Sequence, residues 1–365
     1  MNFAKIQKSW GYWLARRAIR NRVKKDNDHY FELMEKNGVQ VRRLDAEQRA
    51  QVDEIYSQYR HLRLGRYTYD THELVYSATG VFEPTVMPET FFRLLVNPRM
   101  NLRIFVDSWK DKNYFETYLP NARFPKCILR NISGHYYDAS YNMLTEKEAD
   151  ARLRGFGEYI VKPSLDSGFG NHVQKMTGGL ADVVKNFKYK YNFIVQEVFR
   201  QSAEMAAFNE SSVNVVRLMT LFIHDKPEVL MAGLRVGNVG ALTDYSPTKD
   251  GTGNAILGVT DDGVIRDVGY QTCGKAVKQC TNGYVFGGKR IPNYKGMCEL
   301  ALKCHERMPM CRFVAWDMVV AEDGEPAIME YNLMRPGILY YQWVNGPLFG
   351  KDVDKLLETI DKLIS

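Results

Sequence analysis

The densest chemistry in the chain lies in the stretch Phe313-Val314-Ala315-Trp316-Asp317-Met318-Val319-Val320-Ala321-Glu322-Asp323-Gly324-Glu325-Pro326-Ala327-Ile328-Met329-Glu330-Tyr331-Asn332. Two apolar strands flank Asp323-Gly324, a strong hairpin turn signal. With those two residues as the turn, Asp317 lies directly opposite Glu330. Asn332, two residues on, shares their face. Two acids facing each other on a sheet repel and destabilise it, and a cation between them resolves the conflict. All the donors are hard oxygens, with no Cys or His among them, which selects magnesium or manganese over zinc. The plain alternative is a solvated hairpin with its acids in water. Trp316, Met318, Ile328 and Met329 count against it, because they require burial on at least one side. Pro326 cannot donate to the ladder and is the residue that could shift this register.

A second group of residues suits an anion. Ile160-Val161-Lys162-Pro163-Ser164 ends a strand, and Asp166-Ser167-Gly168-Phe169-Gly170-Asn171 follows it. A lysine at the end of a buried strand needs a counter-charge, since an unpaired buried ammonium is costly. The small, glycine-bearing turn lets backbone N–H groups approach phosphate oxygens. It is not a Walker A loop, because no Gly-Lys-Ser/Thr follows. Asp111-Lys112-Asn113-Tyr114-Phe115 offers another lysine, which alone reads as a surface helix start. Phe193-Ile194-Val195-Gln196-Glu197-Val198 runs from an apolar strand into polar residues. Such an edge can offer backbone groups to a purine; alone, it reads as a strand end.

The elements that must position these residues follow from local pattern. Short β-rich runs stand at 159–162 and 192–196, and longer ones at 213–223, 228–237, 255–265 and 313–332. Helical stretches fall near 44–62, 294–307 and 351–364, and residues 70–125 read as short helices and loops. Strand and helix alternate without βαβ regularity, which predicts α+β lobes rather than one parallel sheet. Residues 1–25 carry eight Lys or Arg and no acid. Phe3, Ile6, Trp10, Trp13 and Leu14 recur there at helical spacing, the pattern of a basic amphipathic helix. Two roles stay open for it: docking on an anionic membrane surface or membrane-bound partner, or packing its tryptophans on the protein's own body.

Composition bounds the rest. A chain of 365 residues with 45% apolar and 25% charged residues is an ordinary globular protein of two or three sub-domains. A net charge of +6 is too mild to argue for nucleic acid. Six cysteines, none in a C-x-x-C pair, read as reduced thiols. No apolar run approaches the ~20 residues of a membrane span, and no secretory signal opens the chain. The protein is therefore expected in the cytoplasm, with residues 1–25 suited to the inner face of the cell membrane.

Taken together, residues 105–340 resemble the ATP-grasp superfamily, and within it the sugar-transfer-associated family. The resemblance rests on Asp111-Lys112, Val161-Lys162-Pro163 with its glycine loop, and Val195-Gln196-Glu197. It continues in Val215-Val216-Arg217-Leu218, Gly233-Leu234-Arg235-Val236, and Asp317 with Glu330-x-Asn332 followed by Arg335-Pro336-Gly337. It implies two α+β lobes gripping ATP behind an N-terminal helical extension. The expected divisions are a basic helical region at 1–60, a pre-ATP-grasp or linker region at 61–155, a glycine-loop lobe at 156–198 and a metal-bearing lobe at 199–365. By resemblance, Lys112 and Lys162 hold ATP phosphates, and the loop with Ser167, Gly168 and Gly170 closes over them. Gln196, Glu197 and Val198 lie at the adenine, and Glu204 at the ribose. Asp317, Glu330 and Asn332 hold magnesium, two ions being implied with manganese as a substitute. Arg217 and Arg235 stabilise the γ-phosphate and an acyl phosphate, and Arg335 meets the acceptor carboxylate. One departure stands out: Gly251-Thr252-Gly253-Asn254 occupies the place of a Gly-Gly pair, which points to a different second-substrate pocket.

The implied reaction joins a carboxylate, on a small molecule or sugar, to an amine such as an amino acid. A carboxylate attacks the γ-phosphorus, and an amine then attacks the resulting anhydride. The family context implies modification of a surface polysaccharide or its sugar precursor, an analogy of fold rather than of site. Two other readings are kept: a phosphotransferase that leaves the phosphate on its acceptor, and a nucleotide-binding scaffold without turnover.

Overall fold

Apolar residues alternating along the second half of the chain pair into one long antiparallel sheet, and a smaller sheet precedes it. The computed structural model describes residues 3–56, 69–165, 172–223, 225–350 and 353–362, with residues 3–13 as backbone. The smaller sheet contains β1 (Cys127–Ile132), β2 (His135–Tyr137), β3 (Met143–Leu144), β4 (Tyr159–Pro163), β5 (Gln174–Met176) and β6 (Phe193–Glu197), in the order β3-β2-β1-β6-β4-β5. The larger contains β7 (Val215–Leu221), β8 (Glu228–Val236), β9 (Ala255–Val259), β10 (Ile265–Tyr270), β11 (Ala276–Val277), β12 (Phe313–Val320) and β13 (Pro326–Asn332), in the order β11-β10-β9-β8-β7-β12-β13. All neighbouring strands are antiparallel. The α+β architecture expected from the sequence is the one observed.

The large sheet is covered on both faces. On one lie side chains of the helix α1 (Phe3–Lys36) and of residues 44–100, packed on Met219, Met231, Ile256, Phe313 and Ala315. On the other lie the helix Tyr294–Glu306 and residues 106–124, packed on Val216, Leu218, Val314, Trp316 and Met318. This alternation, period two along β7 and β12, puts Arg217 and Asp317 on the first face, one step beyond Met219 and Ala315. The site begins where the helical cover ends.

Three expectations need correcting. The single strand expected at 255–265 breaks at a turn closed by the Gly263 N–H donating to the Thr260 carbonyl, because Asp261-Asp262-Gly263 reverses the chain into β10. The hairpin of β1–β3 lies in residues assigned to a linker, yet it pairs with β6 in the small sheet, so a boundary at 155/156 cuts through one lobe. Side chains from Ile19 to Tyr56 and from Tyr69 to Met100 pack in one core with the large sheet, across the boundary expected at 60/61. The final stretch of the expected helix 44–62, from residue 57 on, and the residues Ser167, Gly168 and Gly170 lie outside the described residues.

Candidate active site

The acidic hairpin reaches its expected pairing by a different route. Its loop has three residues, Glu322-Asp323-Gly324, closed by the Gly324 N–H donating to the Ala321 carbonyl at 2.8 Å. Gly324 takes φ +83°, the left-handed conformation such a bulged turn requires. The loop shifts the ladder by one residue, so Val320 pairs with Pro326 and Met318 with Ile328. A bulge at Met329 then shifts it back, and Asp317 faces Glu330 while Ala315 faces Asn332. The bulge keeps both acids on one face.

On its other edge β12 pairs with β7, and Asp317 lies opposite Arg217. Arg217 donates to both carboxylate oxygens, Nε to Oδ1 at 2.7 Å and Nη2 to Oδ2 at 2.8 Å, a bidentate fork. The next strand, β8, brings Arg235 Nη2 to 3.2 Å from Asp317 Oδ1. Burial opposes ionisation of Asp317, but Arg217 and then Arg235 outweigh it and hold the carboxyl well below the usual carboxylate range. The repulsion inferred from two facing acids is thus answered in part by the sheet's own arginines. Gly233 pairs with Arg217 and leaves room for the Tyr341 ring, which a Cβ would meet at 2.8 Å; that ring lies under the Arg217 guanidinium at 5.9 Å.

Of the two lysines, Lys162 comes from the smaller sheet and Lys112 from the short turn 112–114 that abuts it. In β4, Tyr159 and Val161 face the core beneath the helices of that lobe, so Ile160 and Lys162 face the other way, beside Gln196 of β6. Lys162 is buried, and burial pushes its ammonium down to about 8, with Glu330 opposing the shift and Lys112 adding to it. Lys112 is fixed by its backbone N–H donating to the Ser164 carbonyl at 3.0 Å and by Asp111, whose side chain caps Asn113. The fully buried Arg130 of β1 reinforces that turn, donating to the Asn113 carbonyl and to Glu116. Lys112 Nζ lies 3.5 Å from Glu330 Oε2. The two lobes therefore meet at one carboxylate.

These groups line one cavity of about 690 Å³ between the sheets. Lys112, Lys162, Gln196, Glu197, Val198, Arg217, Arg235, Arg335, Asp317, Glu330 and Asn332 all reach it. The Glu197 N–H donates to the Lys126 carbonyl, whereas the Val198 N–H makes no hydrogen bond among the described residues. Arg335 sits at φ +53° with its N–H held by Asn97, at the exposed mouth. Glu204 is exposed in the first turn of the helix Ala203–Ala206 and is not among the residues lining the cavity, whereas Glu210 is. Gly251-Thr252-Gly253-Asn254 also lies outside the cavity wall, with Gly251 set against Leu33 of α1 and Cys273. The wall between β8 and β9 is formed instead by residues 240–245, including Asp244, which sequence reasoning passed over. An isolated acid in the polar, otherwise uncharged run Gly237–Thr248 was its only signal.

The donors fit a hard divalent cation. No group of three His, Cys, Asp or Glu side chains capable of holding a metal occurs among the described residues. The available set is two carboxylates and an amide. Glu330 opens toward the cavity, and Asn332 donates Nδ2 to Asp317 Oδ2 at 3.3 Å, leaving its carbonyl oxygen without a partner among the described residues. An ion taken up here has to share Asp317 with its arginine fork. All six cysteines are free thiols and none lines this cavity.

Comparison with known proteins is consistent in kind. Residues 154–357, more than half of the chain, match a family described as sugar-transfer associated ATP-grasp. Similar solved structures include D-alanine–D-alanine ligase from Bacillus anthracis, at 13% identity over 70% of this chain and 67% of that one, with a TM-score of 0.40. The ATP-grasp ligase PsnB complexed with minimal precursor stands at 11% identity, 71% and 64% coverage and a TM-score of 0.40. D-cycloserine synthetase DcsG stands at 14%, 72% and 73%, and 0.39. No curated protein matches the chain.

Proposed function

The chain belongs to the sugar-transfer associated ATP-grasp family, and from that premise we propose that it is an ATP- and magnesium-dependent ligase joining a carboxylate to an amine through an acyl phosphate. The observation that carries the proposal is the convergence of Lys162 from the smaller sheet and Lys112 from the turn beside it with Arg217, Arg235, Asp317, Glu330 and Asn332 from the larger sheet on a single cavity. Lys112 and Lys162 bind the phosphate tail of ATP, and the buried setting of Lys162 makes an anionic partner the favourable occupant. Gln196, Glu197 and Val198 take the adenine, with the Val198 N–H as the available backbone donor. Asp317, Glu330 and Asn332 hold magnesium, which offsets charge on the phosphate oxygens when bound. Arg217 and Arg235 orient the transferring phosphoryl group and the acyl phosphate, and Arg335 at the mouth receives the acceptor carboxylate.

The test is a screen of amino acids against uronic acids, free and nucleotide-linked, for release of ADP and free phosphate. A ligase releases both in step, and only with both substrates present. A stable phosphorylated product would mean phosphotransfer instead, and no turnover across the screen would leave a binding scaffold.

Modification of a surface polysaccharide or its sugar precursor is the setting we propose, with α1 as the contact to membrane-bound machinery. Its 34 residues extend about 50 Å at 1.5 Å per residue. None of residues 14–22 is buried; the first buried side chain along the described part is Val23. A basic helix whose side chains at 14–22 stay exposed or only partly covered suits an anionic lipid surface. No described helix is long and apolar enough to cross a membrane. Equal co-sedimentation with anionic vesicles by the full chain and by one lacking residues 1–25 would remove this contact.

A further inference from the structure

Asp244 is an acid in the cavity wall that the assignments above leave without a role. It stands in the irregular segment joining β8 to β9, yet it is well fixed. The Ser246 Oγ accepts from the Asn238 N–H at 3.0 Å, and the Tyr245 hydroxyl shares a hydrogen bond with Tyr340 at 3.0 Å. Tyr340 in turn meets the edge of the Tyr30 ring in α1. Such a firmly held, largely buried carboxylate needs a partner.

Its partner in the structure is a shared one. Arg235 Nε lies 2.5 Å from Asp244 Oδ2, while Nη2 of the same guanidinium lies 3.2 Å from Asp317. Despite the short distance, neither Arg235 Nε nor Asp244 Oδ2 closes a hydrogen bond among the described residues. In the ligase reading Arg235 also serves the acyl phosphate, and Asp244 then requires another cation. Burial already pushes its carboxyl above the ordinary value despite Arg235. A protonated amine reaching the cavity side of Asp244 would share this carboxylate with Arg235, having one positive charge and three N–H donors.

We propose that Asp244 binds the ammonium group of the amine substrate and sets its nitrogen beside the acyl phosphate held at Arg235. This rests on the ligase function proposed above. The N–C bond forms as the carbonyl carbon–oxygen bond to phosphate breaks, and that electron pair leaves with the phosphate. Before the bond forms, one of the ammonium's protons passes to the Asp244 carboxylate and on to water, which frees the nitrogen's lone pair; the second proton is lost as the bond forms and goes to the departing phosphate.

Hydroxylamine gives the test, because it is uncharged at neutral pH and needs no counter-charge to attack an acyl phosphate. Wild type and Asp244→Asn are compared for hydroxamate formation from the uronic acid panel and for amide formation from the same acids with free amino acids. Hydroxamate formation is expected within about threefold of wild type, while KM for the amino acid rises on the order of 100-fold. If Asp244→Asn fails to fold, Asp244→Glu is scored the same way: its longer arm lowers amide formation and spares hydroxamate. An equal fall in both reactions overturns the inference, since Asp244 then serves only to hold Arg235. Unchanged amide formation overturns it too. A wild-type enzyme yielding neither hydroxamate nor amide from any acid overturns the ligase reading itself and this inference with it.

Discussion

Substitutions at the two facing acids should fail in different ways. Asp317 is 3% exposed and accepts from Nε and Nη2 of the buried Arg217, with Arg235 beside it. Asp317→Asn removes the charge and leaves two buried guanidinium groups with only Asp244 between them. Breaking one partner of a buried pair costs about 3–5 kcal/mol. At about 2 °C per kcal/mol for a chain of this size, Tm falls by roughly 5–10 °C. Glu330 is different: its side chain is 24% exposed, with Lys112 at 3.5 Å. Glu330→Gln should cost about 1 kcal/mol or less while lowering ADP formation on the order of 100- to 1000-fold, the scale of losing one group that stabilises charge in the transition state. Thermal denaturation followed by circular dichroism, beside an ADP-release assay at saturating magnesium, separates the two effects. An Asp317→Asn protein melting with the wild type would refute the buried-pair argument. A Glu330→Gln enzyme turning over at the wild-type rate would refute the metal assignment.

Two buried histidines make stability depend on mild acid. Burial lowers both His72 and His305 to about 4, so between about pH 6.5 and 4 the unfolded chain binds the protons and stability falls as pH falls; at pH 5 each histidine costs about 2 kcal/mol relative to neutral pH. Urea unfolding at pH 7 and pH 5 measures it, and equal midpoints would refute it. Gly233→Ala forces its Cβ against the Tyr341 ring beneath Arg217 and should destabilise by about 1–3 kcal/mol with a loss of turnover, whereas Gly287→Ala, away from the cavity, should keep turnover per folded molecule. Glu204→Ala should leave KM for ATP unchanged within about twofold, because Glu204 is not among the residues lining the cavity; a large rise would return it to the nucleotide site.

What could be read in advance depended on how local the cause was. The faces of β4, β7 and β12 follow from period two within each strand, so Lys162, Arg217 and Asp317 were legible as residues breaking an apolar pattern. The pairing of Asp317 with Glu330 was legible only because two irregularities cancel: a three-residue loop moves the ladder one way and the Met329 bulge moves it back. The β1–β3 hairpin escaped notice because its pattern is short and mixed, with Arg130 and Asn131 buried in the middle of β1 by partners outside the strand. Asp244 escaped for a similar reason. Its position comes from Tyr340, far along the chain, and nothing in the neighbouring residues encodes that contact.

The arginine fork has a consequence for how the site is organised. Around the seam, Lys112, Lys162, Arg217 and Arg235 face Asp317, Glu330 and Asp244, so most of the charge is matched before any nucleotide arrives. The matching is uneven. Asp317 and the two arginines satisfy one another inside the large sheet, where they also hold β7, β8 and β12 in register. Glu330 and the lysines meet across the gap between lobes at a longer distance, and the two lysines repel each other. In the proposed reading a phosphate tail would relieve that repulsion, and a divalent ion would offset the like charges of Glu330 and the phosphates. The exchangeable charges therefore lie at the lobe interface and the fixed ones lie in the sheet. It follows that ATP with magnesium should stabilise the wild type against unfolding more than it stabilises Lys162→Met, in which the cross-gap cation is gone. Equal shifts in Tm for the two proteins would place the nucleotide's phosphates elsewhere.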